Sequence, residues 1–207
     1  MKKTILLSLL LMLSIQILKA QSIFIKSGRN LTNYKFSSST NESVFLQNEI
    51  GQNYEFGYLS EQPEKKRFYY GISLGLEQYN ATGGNYSTNN LTWETNYAIL
   101  KGLGYYKIFT AKRNQIAIKG GLGLATLIHG RQEINGTRYD LLNQDEFKGL
   151  FVSPQVGLAY SLSINNTINL HLDYDYANQV SVTNSNSDQK LSFINHSLSL
   201  GFSVNIN

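Results

Sequence analysis

The chain contains no cysteine. That excludes a disulfide framework, a thiol nucleophile and a lipid-anchored cysteine behind a leader. Charge is scarce as well: Asp, Glu, Lys and Arg make up 15% of residues, where a soluble domain carries about 25%. Beyond the N-terminal segment, no stretch reaches the roughly 18 consecutive apolar residues that a membrane-spanning helix needs. Aromatic side chains, in contrast, reach 12%. A chain poor in charge and rich in rings, without an apolar helix, fits strands that face lipid, because a strand needs an apolar residue only at every second position to do so.

The N-terminus has the order of a secretory leader. Lys2 and Lys3 precede the apolar run Ile5 to Leu13, and Ala20 stands where a signal peptidase would cut before Gln21. Ser14, Gln16 and Lys19 make this segment too short and too interrupted for a retained helix. Residues 1–20 are therefore expected to be a cleaved signal peptide and residues 21–207 one barrel domain. The 18 basic residues fall to 15 once Lys2, Lys3 and Lys19 leave, against 14 acidic ones, so the basic isoelectric point gives no reason to expect nucleic acid.

Period-two alternation carries the fold. Phe68, Tyr70, Ile72, Leu74 and Leu76 alternate with Tyr69, Gly71, Ser73, Gly75 and Glu77, which is a strand with unlike faces. The pattern returns over Ile116 to Leu124, Val152 to Leu162, Ile168 to Tyr176 and Leu198 to Ile206. Three further strands are expected near 22–34, 50–60 and 91–108. In the last, Trp93, Tyr97, Ile99, Leu103 and Tyr105 keep the apolar alternation and Lys101 interrupts it, which suggests a bulge. Connections alternate between short (61–67, 110–114, 163–167) and long (37–49, 80–90, 130–148, 178–190). The expectation is an all-β, closed, antiparallel up-and-down transmembrane β-barrel of about eight strands, with short periplasmic turns, longer external loops and both termini in the periplasm.

The polar face of these strands favours membrane over water. It is mostly Gly, Ala, Ser and Asn, where the outside of a soluble barrel would carry Lys, Glu and Arg. Small residues suit the crowded lumen of an eight-stranded barrel. Phe68, Tyr70, Trp93, Tyr105, Phe109, Tyr160, Tyr174 and Tyr176, near strand ends, are expected to form the interfacial girdle.

On the leader ending in Ala20, the strand GGLGLATL at Gly120 to Leu127 and the final strand HSLSLGFSVNI at His196 to Ile206, the chain resembles the small outer-membrane, porin-like β-barrels of Gram-negative bacteria. The resemblance is one of pattern over the whole mature chain. It implies outer-membrane lipid and lipopolysaccharide as surroundings and the barrel-assembly machinery as a partner in biogenesis. The assembly signal usually ends in an aromatic residue, and this chain ends in Asn207, so recognition would rest on Phe202 and the alternating apolar positions. A monomer is expected.

Candidate functional residues are the charges assigned to the lumen: Lys26, Glu55, Glu77, Glu94, Lys119, His171, Asp173 and Asp175. Buried without partners they would be costly, so an ion-paired network that fills the barrel is expected. His171, Asp173 and Asp175 share one strand face, a donor set that metals accept, but no second inward His accompanies them. His196 and Ser197 are adjacent and so point to opposite faces, which argues against a hydrolase dyad. Gly120, Gly121 and Gly123 lack the GK[ST] ending of a phosphate loop. No catalytic residue, metal or cofactor is assigned. The expected role is non-enzymatic, structural or narrowly porin-like. The alternative is surface binding or adhesion through the external loops, chiefly the longest, 130–148, with Arg131, Arg138 and Tyr139 as contacts and the two arginines as those that would meet an anion.

Overall fold

A computed structural model describes residues 22–38, 46–60, 67–83, 91–144, 147, 149–182 and 189–206. The leader, most of the 61–67 turn and much of three of the four long connections lie outside the described residues. Nine strands follow in chain order: β1 (Ser22–Ser38), β2 (Leu46–Ser60), β3 (Phe68–Gly83), β4 (Leu91–Ala111), β5 (Asn114–Ile134), β6 (Thr137–Asp140), β7 (Leu150–Ser163), β8 (Ile168–Ser181) and β9 (Gln189–Asn205). Eight of them close into a barrel. Each pairs antiparallel with its sequence neighbour, β5 pairs with β7, and β1 meets β9 from Ser22↔Asn205 to Ser38↔Gln189. Closure is what lipid demands, since an open sheet edge would leave N–H and C=O groups unpaired in hydrocarbon.

The staves run 14 to 21 residues, longer than the 9–11 needed to cross a bilayer. The excess length lies on the side of the long connections, where the outward positions of β3, β4 and β5 turn polar at Thr82, Thr92, Glu94, Arg131 and Glu133. The barrel's opposite end is finished by tight turns. At one, Lys112 takes a positive φ of 45°. At the other, the Asn165 Oδ1 accepts from the backbone N–H of Thr167 and Ile168 at 2.8 and 2.7 Å.

Segment 130–148 is not a long loop. β5 continues to Ile134, turns at Asn135-Gly136 with φ of 51° and 81°, and returns as β6 with Ile134↔Thr137 paired. Two positive φ values in a two-residue connection are the demand of a type I′ hairpin, which Asn-Gly meets better than most pairs. A short 3₁₀ turn, Leu141–Asn143, follows, capped by Asp140 Oδ1 accepting from Leu142 N–H at 2.9 Å. Leu141 and Phe147 are then buried in the barrel mouth, with Leu141 lying over Gly130, where a Cβ would come within 2.8 Å of it. Burial of two apolar side chains pulls the segment inward.

Outward-facing aliphatic side chains are bare: Leu74, Leu122 and Leu200 are 64%, 60% and 66% exposed. A continuous exterior of this kind is not tolerated in water. On β4 the two faces are the reverse of the expectation. Trp93, Tyr97, Ile99, Leu103 and Tyr105 are buried inside, and Lys101 is buried among them in unbroken register, opposite Ser73 and Gly123. The irregularities of β4–β5 lie elsewhere, at Asn96/Tyr97 and Lys107/Phe109. Trp93 and Tyr105 thus leave the expected girdle, while Phe68, Phe109, Tyr160, Tyr174 and Tyr176 are exposed on the outside.

Candidate functional site

The lumen is filled in three layers. At the tight-turn end, Phe24, Leu59, Tyr69, Leu103, Tyr105, Ala117 and Ala159 form an apolar cluster, in which Tyr69 and Tyr105 stack with ring centroids 4.6 Å apart. At the hairpin end a larger cluster centres on Phe193, whose ring lies 4.8 Å from Tyr34 and 5.6 Å from each of Tyr79, Tyr97 and Phe151. Trp93, edge-on to Phe147 at 5.5 Å, completes it under the folded-in hairpin.

Between the two lies the ionic layer. Lys26 on β1 donates to Asp173 on β8 at 2.6 Å, and Lys119 on β5 donates to Asp173 at 2.7 Å and to Asp175 at 2.8 Å. Lys101 on β4 bridges Glu77 on β3 and Glu55 on β2 at 2.7 and 3.2 Å. Three ammonium groups thus face four carboxylates; neutral donors serve the two glutamates, whereas Asp173 Oδ1 and Asp175 Oδ1 are buried without a hydrogen-bond partner. Ser73 donates to Glu55 at 2.8 Å, Asn195 donates to Glu77 at 3.3 Å, and the Tyr79 hydroxyl donates to Glu77 as well. Lys26 also stands over the Phe24 ring, 4.4 Å from its centroid, which couples the ionic layer to the tight-turn cluster.

Backbone without side chains makes room for these long cations. At Gly157 a Cβ would lie 2.2 Å from the Tyr174 carbonyl oxygen and 3.0 Å from Lys119 Cε. At Gly201 it would lie 2.2 Å from the Ile25 carbonyl oxygen and 2.6 Å from Lys26 Cγ. Gly157 and Gly201 are therefore the seats of the Lys119 and Lys26 stems.

Of the charges assigned to the lumen, Lys26, Glu55, Glu77, Lys119, Asp173 and Asp175 meet in this layer. Glu94 does not. It is exposed on the outside of β4, because that strand's faces are reversed. Lys101, the residue that interrupts the apolar alternation of its strand, is central to the network. Its signal was present in the sequence: a lysine in the middle of a membrane-crossing strand is costly on the lipid face, so its own face must be the lumenal one. The set His171, Asp173 and Asp175 divides. Both carboxylates turn to lysines, and the His171 ring spans Ser161 (Nδ1 to Oγ, 2.9 Å) and Ser203 (Nε2 to Oγ, 2.8 Å). This His–Ser–Ser contact is sealed, with His171 7% and Ser203 1% exposed.

Neither the protein-family models nor the curated protein sequences give a match. Solved structures do. The outer membrane protein OprG from Pseudomonas aeruginosa aligns over 91% of this chain and 97% of its own, with 11% identity and a TM-score of 0.52. Neisserial surface protein A aligns over 89% and 97% at 13% identity and a TM-score of 0.47, and the outer membrane enzyme PagL over 89% and 99% at 9% identity and 0.43. The fold is that of the small outer-membrane β-barrels.

The hairpin at the barrel mouth carries a cleft of its own. His129, Arg131, Arg138, Tyr139, Asp140 and Leu142 line an open cleft of about 270 Å³ with Gly130 at its base. Arg138 donates to Glu133 at 3.1 Å, and Arg131 stands opposite Asp140 across the β5–β6 pairing. The three residues expected as external contacts, Arg131, Arg138 and Tyr139, thus line one cleft, with carboxylates alongside. On the lipid-facing side, His196 and Tyr174 share a hydrogen bond of 2.8 Å, in line with the expectation that Ser197 points away from His196.

Proposed function

We propose that this chain is an integral outer-membrane barrel of structural, non-enzymatic role, exported through the Sec route by residues 1–20 and folded with both termini in the periplasm. The carrying observation is the filling of the lumen by two aromatic layers with an ion-paired layer between them. An eight-stranded barrel is just wide enough for side chains to occupy it, and among the described residues each lysine and each carboxylate of the middle layer has an ion-pair partner. The even stave number and the Ser22↔Asn205 pairing support termini on one side, that of the tight turns. Insertion would then pass through the barrel-assembly machinery, with lipopolysaccharide surrounding the outer half of the exterior.

The test is electrical. Refolded into detergent, the chain should keep a faster gel mobility until boiled, and in planar bilayers it should give no stable conductance. Persistent open channels in the unaltered protein would overturn the filled-lumen reading.

A second reading, surface binding through the hairpin, rests on the cleft that gathers His129, Arg131, Arg138 and Tyr139. It predicts retention of the folded protein on phosphocellulose, with elution moved to clearly lower salt by the double change Arg131→Ala and Arg138→Ala. Equal elution of variant and parent would remove the cleft from consideration.

A further inference from the structure

Arg29 faces outward from the middle of β1 and is exposed, and among the described residues it has no ion-pair partner. An arginine on the lipid face costs about 2–4 kcal/mol at the bilayer midplane and close to nothing at the headgroup border. Its neighbours mark that border. Arg29 stands opposite Gln52, Gln52 lies one residue beyond the Asn53↔Glu77 pair that leads to Gln78, and Gln78↔Asn96↔His129 continues the row across β3, β4 and β5. These outward polar residues form one line across five strands.

Directly on the membrane side of that line the wall is hollow. Two residues along each strand from Gln52, Gln78 and Asn96 come Tyr54, Leu76 and Ala98, and these three with Ile25, Phe56 and Leu74 border an almost wholly apolar groove of about 370 Å³. Ala98 supplies the depth, being a methyl group where its outward neighbours are large. Tyr54 forms the groove's headward wall and is tied to the border row by its hydroxyl, which donates to Gln52 Oε1 at 2.7 Å.

A lone cation at the head of an apolar furrow, at headgroup depth, has the chemistry of a lipid site. We propose that Arg29 binds a phosphate of the acylated glycolipid in the outer leaflet, one acyl chain of which lies in the groove walled by Tyr54, Phe56, Leu74 and Ala98. Charge complementarity selects a phosphate, for which the guanidinium fork is suited. Counted from Ser22 at the tight-turn end, Arg29 stands seven residues up β1, past the midplane of a crossing that takes about 9–11 residues, which selects the outer leaflet, where such a glycolipid resides. This assignment rests on the membrane orientation proposed above.

The whole mature chain is folded into phosphatidylcholine nanodiscs doped with equal fractions of either lipid A or phosphatidylglycerol, released in mild detergent, and weighed intact by mass spectrometry. The parent should retain lipid A, and Arg29→Gln should lower that retained fraction about tenfold, the scale of one lost charge-assisted contact. Ala98→Leu, which fills the groove with an apolar side chain that the lipid face tolerates, should lower it too while the heat-modifiable band persists. Unchanged retention in either variant overturns the site, and equal retention of phosphatidylglycerol overturns the glycolipid assignment. Failure of the parent to insert into the nanodiscs at all would instead overturn the membrane-barrel reading itself, so the two failures are distinct.

Discussion

Asp173→Ala is expected to remove about 3–5 kcal/mol from the stability of the folded barrel, the cost of leaving a buried charge without its partner. Asp173 is 1% exposed and holds both Lys26 and Lys119. The two lysines do not lose equally. Lys119 keeps Asp175, whereas Asp173 is the only ion-pair partner of Lys26 among the described residues. The penalty should therefore fall mainly on Lys26, and adding Lys26→Met to Asp173→Ala should recover part of the loss, a coupling that a double-mutant cycle isolates. Urea titration of the refolded barrel measures both. Glu94→Gln is the matched control: a charge assigned to the lumen by alternation, yet exposed outside, whose neutralisation should stay within about 0.5 kcal/mol. A loss below about 1 kcal/mol for Asp173→Ala would mean that water reaches the ionic layer and screens it, and the filled lumen would have to be abandoned.

That contrast also marks what the sequence could convey. On β3, β5, β7, β8 and β9 the two faces differ in character, apolar outside and small or polar inside, so alternation located Glu77, Lys119, Asp173 and Asp175 on the lumenal side. On β4 the inward face is itself apolar, because this strand supplies Tyr97 and Ile99 to one closing layer and Leu103 and Tyr105 to the other. Hydrophobicity alone then points the wrong way, and only the lysine at 101 betrays the error. Which cation meets which carboxylate was beyond reach for a different reason. Lys26 and Asp173 are 147 residues apart, and they meet only because β9 closes on β1 in a register that no local pattern sets. The hairpin was legible in principle, since Asn135-Gly136 between residues able to pair is a strong turn signal. It was hidden by its polar surroundings, as were the two apolar residues, Leu141 and Phe147, that fold the segment back over the mouth.

Phe193→Ala should destabilise the barrel by about 3–5 kcal/mol, the range for deleting a fully buried ring, without opening a channel. Phe193 is 0% exposed and is the hub of the hairpin-end layer. Its ring meets those of Tyr34, Tyr79, Tyr97 and Phe151, on β1, β3, β4 and β7, so its removal loosens four staves at once. Each ring pair contributes about 0.5–1.5 kcal/mol beyond the area it buries, which places the expected loss toward the upper part of that range. Conductance is a separate matter, because the layers are in series. Beneath the cavity left by Phe193 stand Lys101 between Glu55 and Glu77, and beneath those the stacked Tyr69 and Tyr105. An ion entering from the hairpin end would have to displace a salt bridge whose partners are both buried, then part a stacked pair. The expected result is a lowered urea midpoint together with silent planar bilayers. Discrete conductance steps in Phe193→Ala would instead show that the outer layer alone closes the lumen, and that the ionic layer beneath it is a passage rather than a plug.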